Sequence, residues 1–325
     1  MMSVVCKLCQ SASEVYLDGL FDDRYGYPGT FTVYRCTRCG FGQTVPELSG
    51  QALADLYTNY YPRKNITAAG VQASASYHAG SWARWRSWWQ GTNNTCHWGV
   101  QAGSRVLDIG CGSGVSLLEI QAQGAEAFGT EEDRNVEPIA RELNLKIHFG
   151  DVLSAGYSDQ SFDTITMSQL LEHISDPIQF LKNVRTKLKS TGRVVMSFPN
   201  IDGFNQRRNR RTWINWHMPF HVNFFTRPSI ERLAEQAGFT VQRVQTITPN
   251  VWLQLQLQAN SHPATEGQPN PIWLSGVQTQ QETVWQRRWR VGKALLFSQL
   301  RVPLTRWQDA RGQGDSWLVM LTPKQ

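Results

Sequence analysis

The chain has 325 residues, 41% of them apolar, enough for one well-buried domain with additions. Lys and Arg total 32 against 26 acids, a formal charge of +6, which fits an anionic substrate or surface without establishing either. Six cysteines with no apolar signal segment argue against a secreted disulfide scaffold, and Met1 to Ala12 is not hydrophobic for long enough to cross a membrane, so a cytoplasmic location is the simplest reading.

The first forty residues carry two CxxC pairs, Cys6/Cys9 and Cys36/Cys39, separated by 26 residues. Each pair presents two thiolates from a tight knuckle, and two knuckles make a tetrahedral sulfur site suited to zinc. Gly40 fits the left-handed turn such a knuckle requires. Val15–Leu17 and Thr30–Tyr34 read as strands of a small hairpin between the pairs. A module this small, bounded at 1–45, needs a metal or another staple to fold. The readings are structural zinc first, then an iron–sulfur centre or free buried cysteines; four thiolates leave no open position for catalytic zinc. Cys96 and Cys111 are isolated and read as packing residues.

Residues 46–99 read as linking helices. Leu48, Leu53, Leu56 and Tyr57 have helical spacing, ended by Tyr60-Tyr61-Pro62. A second helix is expected over 70–91, with Trp82, Trp85 and Trp89 at intervals of three and four. Aromatics among Arg84 and Arg86 suit nucleic acid, but the spacing is more simply an apolar face packed on the core.

Arg105 to Gly114, RVLDIGCGSG, organises the rest of the chain. A short apolar strand ends in Asp108, and Gly110, Gly112 and Gly114 then alternate with small residues before a helical pattern. Such a strand turns tightly into a helix and lets a ligand lie against bare backbone. The segment resembles motif I of the class I S-adenosylmethionine-dependent methyltransferases. That resemblance implies that the glycine loop passes under the methionine part of the cofactor, that Asp108 orients the loop and helps hold the amino-acid moiety, and that the helices of 46–99 also cover the cofactor, with part of the tryptophan stripe lining its pocket. It also resembles no phosphate loop, since the Lys-Ser/Thr is missing.

Strand two, Ala125–Gly129, runs into Thr130-Glu131-Glu132-Asp133. A carboxylate there accepts ribose hydroxyl protons in dinucleotide folds, and the resemblance assigns that role to Glu131, with Asp133 as a weaker competitor. These acids equally suit capping of the helix from Asn135. Gly150-Asp151 after strand three resembles the segment whose acid reaches the adenine amino group. Strand four, Phe162–Met167, continues into Ser168-Gln169-Leu170-Leu171-Glu172-His173-Ile174-Ser175-Asp176-Pro177. This looks very like the strand-four end of the ubiquinone-biosynthesis type of O-methyltransferase and related sugar enzymes, and it puts Gln169 beside the cofactor. The CxxC pattern likewise looks like the zinc segment that precedes the domain in some sugar C-methyltransferases. The implied fold is α/β: a Rossmann-like, seven-stranded, mostly parallel sheet with helices on both faces, preceded by the zinc module and occupying 100–325.

Two inserts interrupt that domain. Residues 200–226 carry Arg207, Arg208, Arg210 and Arg211, then Trp216, His217 and His221, and read as a substrate loop. Arginine's planar fork matches phosphate oxygens, so the cluster reads as a clamp for a phosphorylated or polyprenyl-linked acceptor, or as a solvated loop face. Methyl transfer to a hydroxyl needs a base, and histidine has a suitable unperturbed pKa. The order of preference is His221, His173, His217. Residues 250–312 form the second insert. Its basic, tryptophan-bearing segment 284–307 reads as a lid or dimer-packing helix before a peripheral membrane contact. The expected reaction is S-adenosylmethionine-dependent methylation of a hydroxyl on a sugar or glycan-like small molecule. C-methylation of a nucleotide-linked keto sugar, quinone or lipid O-methylation, and an RNA-binding or RNA-modifying protein are the alternatives; nucleic acid is the weakest partner.

Overall fold

The computed structural model describes residues 4–60, 66–75, 81–91, 95–274, 292 and 300–324. Its strands are β1 (Val4–Val5), β2 (Ala12–Phe21), β3 (Thr30–Cys36), β4 (Gly42–Val45), β5 (Arg105–Ile109), β6 (Glu126–Glu131), β7 (Ile147–Phe149), β8 (Phe162–Ser168), β9 (Leu188–Pro199), β10 (Asn223–Phe224), β11 (Phe239–Ile247) and β12 (Ser316–Pro323). The helices used below are α1 (Gly50–Asp55), α2 (Ala68–Ser74), α3 (Ser81–Gln90), α4 (Val115–Ala122), α5 (Glu137–Glu142), α6 (Pro177–Lys187), α7 (Phe204–Asn209), α8 (Arg227–Gln236), α9 (Asn250–Ser261) and α10, over 300–310.

A near-continuous apolar run marks a strand buried on both faces. In β5, Val106, Leu107 and Ile109 are buried, and in β8 so are Phe162, Ile165 and Met167. They lie side by side in a seven-stranded sheet of order β11-β12-β9-β8-β5-β6-β7. Pairings β8–β9, β5–β8, β5–β6 and β6–β7 are parallel, whereas β12 runs antiparallel to both β9 and β11. The sheet is therefore mixed, with the last strand of the chain inserted antiparallel. The chain winds from β5 outward to β7 and then returns to β8, so the order reverses between β5 and β8. Open α/β sheets bind ligands at such a reversal, outside the carboxyl ends of the strands.

Helix starts follow their local chemistry. Asp176 accepts the Gln179 N–H, and Pro177 occupies the first turn of α6, where its missing donor is harmless. Thr226 and Ser229 form a reciprocal capping box at α8.

The N-terminal segment is not a self-contained module. Its sheet has the order β1-β2-β3-β4-β10, and β10 belongs to the insert at 200–226, pairing Asn223 with Gln43 and Phe224 with Gly42. Leu20, Phe31 and Val33 share one core with Ile201, Trp213, Trp216, Met218 and Phe224. The Thr226 hydroxyl donates to the Cys39 carbonyl at 2.8 Å. A boundary at 45 follows the sequence, but the packing crosses it.

The expected helix over 70–91 is described as two helices, α2 and α3. Ala75 is extended, and 76–80 lie outside the described residues. The tryptophan stripe also differs from expectation. Trp82, Trp85 and Trp88 are exposed, and the rings stack on one another, Trp82 on Trp85 at 4.8 Å and Trp85 on Trp89 at 5.6 Å. The spacing correctly puts them on one face, but spacing alone does not say which way that face points. The helix is held from below. The Arg306 guanidinium of α10 donates to the carbonyls of Trp88 and Thr248 and pairs with Asp309 at 3.0 Å. Gly91 ends α3 at φ +67°, where a Cβ would lie 2.3 Å from the Thr248 oxygen. Most of 284–307 lies outside the described residues. No helix among those described is long and apolar enough to cross a membrane.

Candidate active site

The turn after β5 is built by hydrogen bonds that leave its outer side bare. Asp108 is 3% exposed; its Oδ1 accepts from the Thr166 hydroxyl and its Oδ2 from the Ser116 hydroxyl, both at 2.5 Å. Burial pushes the Asp108 carboxyl above its usual range, opposed by His97 and the two hydroxyls. Asp108 thus ties β8 and α4 to the loop. Gly114 has φ +88°, which strains any other residue, and a Cβ there would force the end of the Leu145 side chain, 2.3 Å away, to shift. At Gly112, φ +55°, a Cβ would meet nothing within 4 Å. That is bare backbone facing open space, the cradle a cofactor against this loop requires. A cavity of about 650 Å³ opens beside it, with Asp108, Gly110, Cys111, Ser116 and Ser168 in its wall. Trp82 of α3 reaches the same cavity.

Glu131 ends β6 beside this loop. Its Oε2 accepts the Gly112 N–H at 2.8 Å, and its Oε1 accepts the N–H groups of Glu132 and Asp133. The carboxylate therefore fixes the glycine turn from the second strand, whatever else it holds. Asp133 caps the turn that leads to α5, accepting the Asn135 N–H at 2.9 Å. Asp151 is exposed, and its Oδ1 accepts the N–H groups of Leu153 and Ser154, which hold its carboxyl below the usual range. Gln169 has φ +55° and donates its amide to the hydroxyls of Ser197 and Ser316, at 3.1 and 3.3 Å.

The strand-four continuation brings a second group together. Leu170 packs against Gly110, its Cδ1 3.1 Å from where a Cβ would stand. Two residues further, Glu172 and His173 meet His217 and His221 of the insert. Ring centroids are 4.7 Å apart for His173 and His221, and 4.9 Å for His217 and His221. The Val222 N–H donates to the Glu172 carbonyl at 2.8 Å, which pins the insert to the end of β8.

His173 Nδ1 lies 2.9 Å from the Phe220 carbonyl and His221 Nδ1 2.8 Å from that of Asn215. A carbonyl only accepts, so both rings carry the proton on Nδ1 and leave the Nε2 lone pair available. Burial holds His173 down at about 4 and holds His217 and His221 well below the usual histidine value, so all three are neutral at pH 7. His217 has φ +41°, a left-handed conformation, and its Nε2 has no partner. Both oxygens of Glu172 are buried and unpartnered, and burial pushes its carboxyl up to about 8. One ligand atom each from Glu172, His173 and His221 lies within 4.8 Å of the others. Nothing in the sequence pattern singles out the isolation of Glu172, because it results from the insert closing over it.

The four cysteines converge. Sγ separations are 3.7 Å for Cys6–Cys39, 3.4 Å for Cys9–Cys36 and 3.6 Å for Cys9–Cys39. A tetrahedron with Zn–S bonds of about 2.3 Å has edges of about 3.8 Å, so this donor set fits zinc with little movement. Cys96 and Cys111 are buried singly.

The expected acceptor residues divide. Arg207, Arg208, Arg210 and Arg211 are exposed, and none lines the cavity beside the glycine loop. Arg207 borders another cleft with Asp202 and Arg306, and Arg211 donates to the Gly19 carbonyl at 3.0 Å. Trp216 is 3% exposed; it packs edge-on to Trp213 and Phe224 and donates its indole N–H to the Arg210 carbonyl at 2.6 Å. Its surface is spent on packing, which leaves little to offer a substrate. One pair went unnoticed in the sequence: His97 and Glu119, both buried in the cavity wall, joined at 2.6 Å. A lone His before a strand carries no sequence signal.

A sheet of this order, with a glycine turn after its first strand and a bare cradle at the reversal, defines a class I methyltransferase fold. Residues 78–244, just over half of the chain, match the family described as a methyltransferase domain, and the chain belongs to that family. It is 26% identical over 180 residues to the demethylmenaquinone methyltransferase of Staphylococcus aureus strain JH9, covering 47% of this chain and 75% of that one. Among solved structures it is similar to a SAM-dependent methyltransferase from Archaeoglobus fulgidus, with 15% identity, a TM-score of 0.42, and coverage of 73% of this chain and 89% of that one. It is also similar to phosphoethanolamine N-methyltransferase 2 of Haemonchus contortus in complex with S-adenosyl-L-methionine, with 16% identity, a TM-score of 0.47, and coverage of 87% and 62%. The chain is an S-adenosylmethionine-dependent methyltransferase.

Proposed function

We propose that the acceptor is a hydroxyl of a sugar or glycan-like small molecule and that its proton is taken at the histidine cluster, by His221 or His173. The observation that carries this reading is the pair of neutral imidazoles whose Nδ1 atoms are engaged by carbonyls, leaving two Nε2 lone pairs, with the His173 N–H bonded to the carbonyl of Leu170, the residue that packs on the glycine loop. The donor supplies a methyl on a sulfonium. The chain's own residues hold both reactants, exclude water and accept the acceptor's proton. Asp108 and the three glycines support the methionine end, with Glu131 assigned to the ribose, Asp151 to the adenine and Gln169 to the cofactor by resemblance. On this reading Cys6, Cys9, Cys36 and Cys39 hold a structural zinc, and residues 1–45 serve as a cover over the acceptor side. The exposed Arg207, Arg208, Arg210 and Arg211 offer a surface for a phosphate or a lipid-linked diphosphate.

The test is label transfer from methyl-labelled donor to separate pools of nucleotide sugars, lipid-linked glycans and demethylated quinones. Label entering a sugar pool at oxygen supports the reading. Label in quinone alone, the substrate named for the Staphylococcus relative, replaces it, and label at carbon of a keto sugar moves the proton step to a carbon acid.

The orphaned carboxylate favours a second reading. Glu172 with His173 and His221 forms a donor set suited to a divalent cation, which would bind the acceptor oxygen and lower its pKa. Turnover lost on chelation and regained with a divalent cation, at unchanged zinc content, selects this reading. Unchanged turnover selects the base.

A further inference from the structure

The donor cavity contains a buried pair that neither reading of the acceptor side uses. His97 precedes β5 in a loop stapled to α4. The Gln123 amide donates to the carbonyls of His97 and Glu119, both at 3.0 Å, and its Oε1 accepts the Gly99 N–H at 2.9 Å. The His97 ring and the Glu119 carboxylate are 6% and 5% exposed, with Nε2 2.6 Å from Oε2. The Trp98 indole donates to the same oxygen at 2.8 Å. Because α4 also carries Ser116, which holds Asp108, this loop is fixed relative to the glycine turn. Both residues line the cavity with Asp108 and Gly110, and the buried Nδ1 of His97 has no partner.

A buried ring nitrogen without a partner is costly, and evenly spread burial does not explain one in the wall of a ligand cavity. The methionine end of the donor brings one ammonium and one carboxylate. Asp108 and Glu119 supply negative charge to this wall. Its basic side chains are His97 and Arg86, and Arg86 is exposed to screening by water.

We infer that His97 is the carboxylate anchor of the methyl donor: the His97–Glu119 pair holds two protons, one on Nδ1, donated to the donor's carboxylate, and one shared in the hydrogen bond between Nε2 and the Glu119 carboxylate. His97 is thus a positioning residue for the sulfonium rather than a participant in the chemistry, and the assignment holds whatever the acceptor.

The experiment is calorimetric binding of three ligands: S-adenosylmethionine, its decarboxylated form, and 5′-methylthioadenosine, which lacks the amino-acid end. The proteins are wild type, His97→Asn and Arg86→Ala. Asparagine keeps a donor for Glu119 without the second ring nitrogen. The expected result is a loss of about tenfold to a hundredfold in affinity for S-adenosylmethionine in His97→Asn. The other two ligands should bind that variant as they bind wild type, which also shows that it is folded. Arg86→Ala should not produce a loss confined to S-adenosylmethionine. Equal losses for the decarboxylated donor mean that the ring meets the ammonium, and equal losses for methylthioadenosine mean a structural role. Either result overturns the assignment, as does a carboxylate-specific loss that follows Arg86 instead.

Discussion

His221 and Asp315 illustrate how burial sets what a single side chain does here. His221 is 6% exposed and bound through Nδ1, so it is neutral and oriented before any acceptor arrives. His221→Ala should lower turnover about 10²- to 10⁴-fold with the donor dissociation constant unchanged, measured by steady-state kinetics beside calorimetry. A weaker effect on turnover than on acceptor KM would reduce it to a contact residue. Asp315 lies outside the reaction. It accepts the Asn205 amide at 2.6 Å and so ties the first insert to the start of β12. Burial pushes its carboxyl up to about 7, partly opposed by Asn205 and assisted by Asp309. A folded pKa raised above the unfolded value means that this group's contribution is fully present below about pH 4 and is lost as pH rises through about 7. The Asp315 contribution should therefore fall between pH 4 and 8, by on the order of a few kcal/mol, against the opposite trend from the three buried neutral histidines; it is read as the difference between the urea-unfolding pH profiles of wild type and Asp315→Asn.

Among the elements, the insert at 200–226 and α3 show that identical residue types can serve opposite ends. Trp213 and Trp216 close the core between β2–β3 and the insert, whereas Trp82 and Trp85 of α3 stack in the open. Trp216→Ala should cost about 3–5 kcal/mol of stability, because it removes a large side chain from a filled site. Trp82→Ala should change stability by less than about 0.5 kcal/mol, as exposed substitutions do. Since Trp82 lines the cavity beside the glycine loop, which we assign to the donor, its replacement should instead weaken donor binding. Thermal melts of the two variants, run with and without donor, separate the roles. An equal loss of melting temperature in both would mean that α3 packs as the core does.

The whole molecule is one body by packing even though its sequence reads as a module plus a domain. Strand β10 of the insert completes the N-terminal sheet, Phe41 packs edge-on to Phe225, and the Gln236 side chain of α8 reaches the Leu8 carbonyl. Removal of the structural zinc proposed above should therefore destabilise the methyltransferase core as well as the first forty residues. Cys9→Ser, with one of four thiolates gone, should lower zinc content and melting temperature together in a single transition. Two separate transitions in a calorimetric scan would restore the modular picture. The sequence by itself determined the parts that depend on local order: the glycine turn after an apolar strand, the capped starts of α6 and α8, the run of core strands and the paired cysteine knuckles. These follow from backbone freedom, hydrogen-bond capping and ligand spacing within a few residues. Only the tertiary structure decided which histidines meet, that Glu172 is sealed without a partner, that His97 faces Glu119 in the cavity beside the glycine loop, and that Trp216 is core while Trp82 is surface. Periodicity fixes which residues share a face, but burial is decided by what another part of the chain, often more than a hundred residues away, lays against that face.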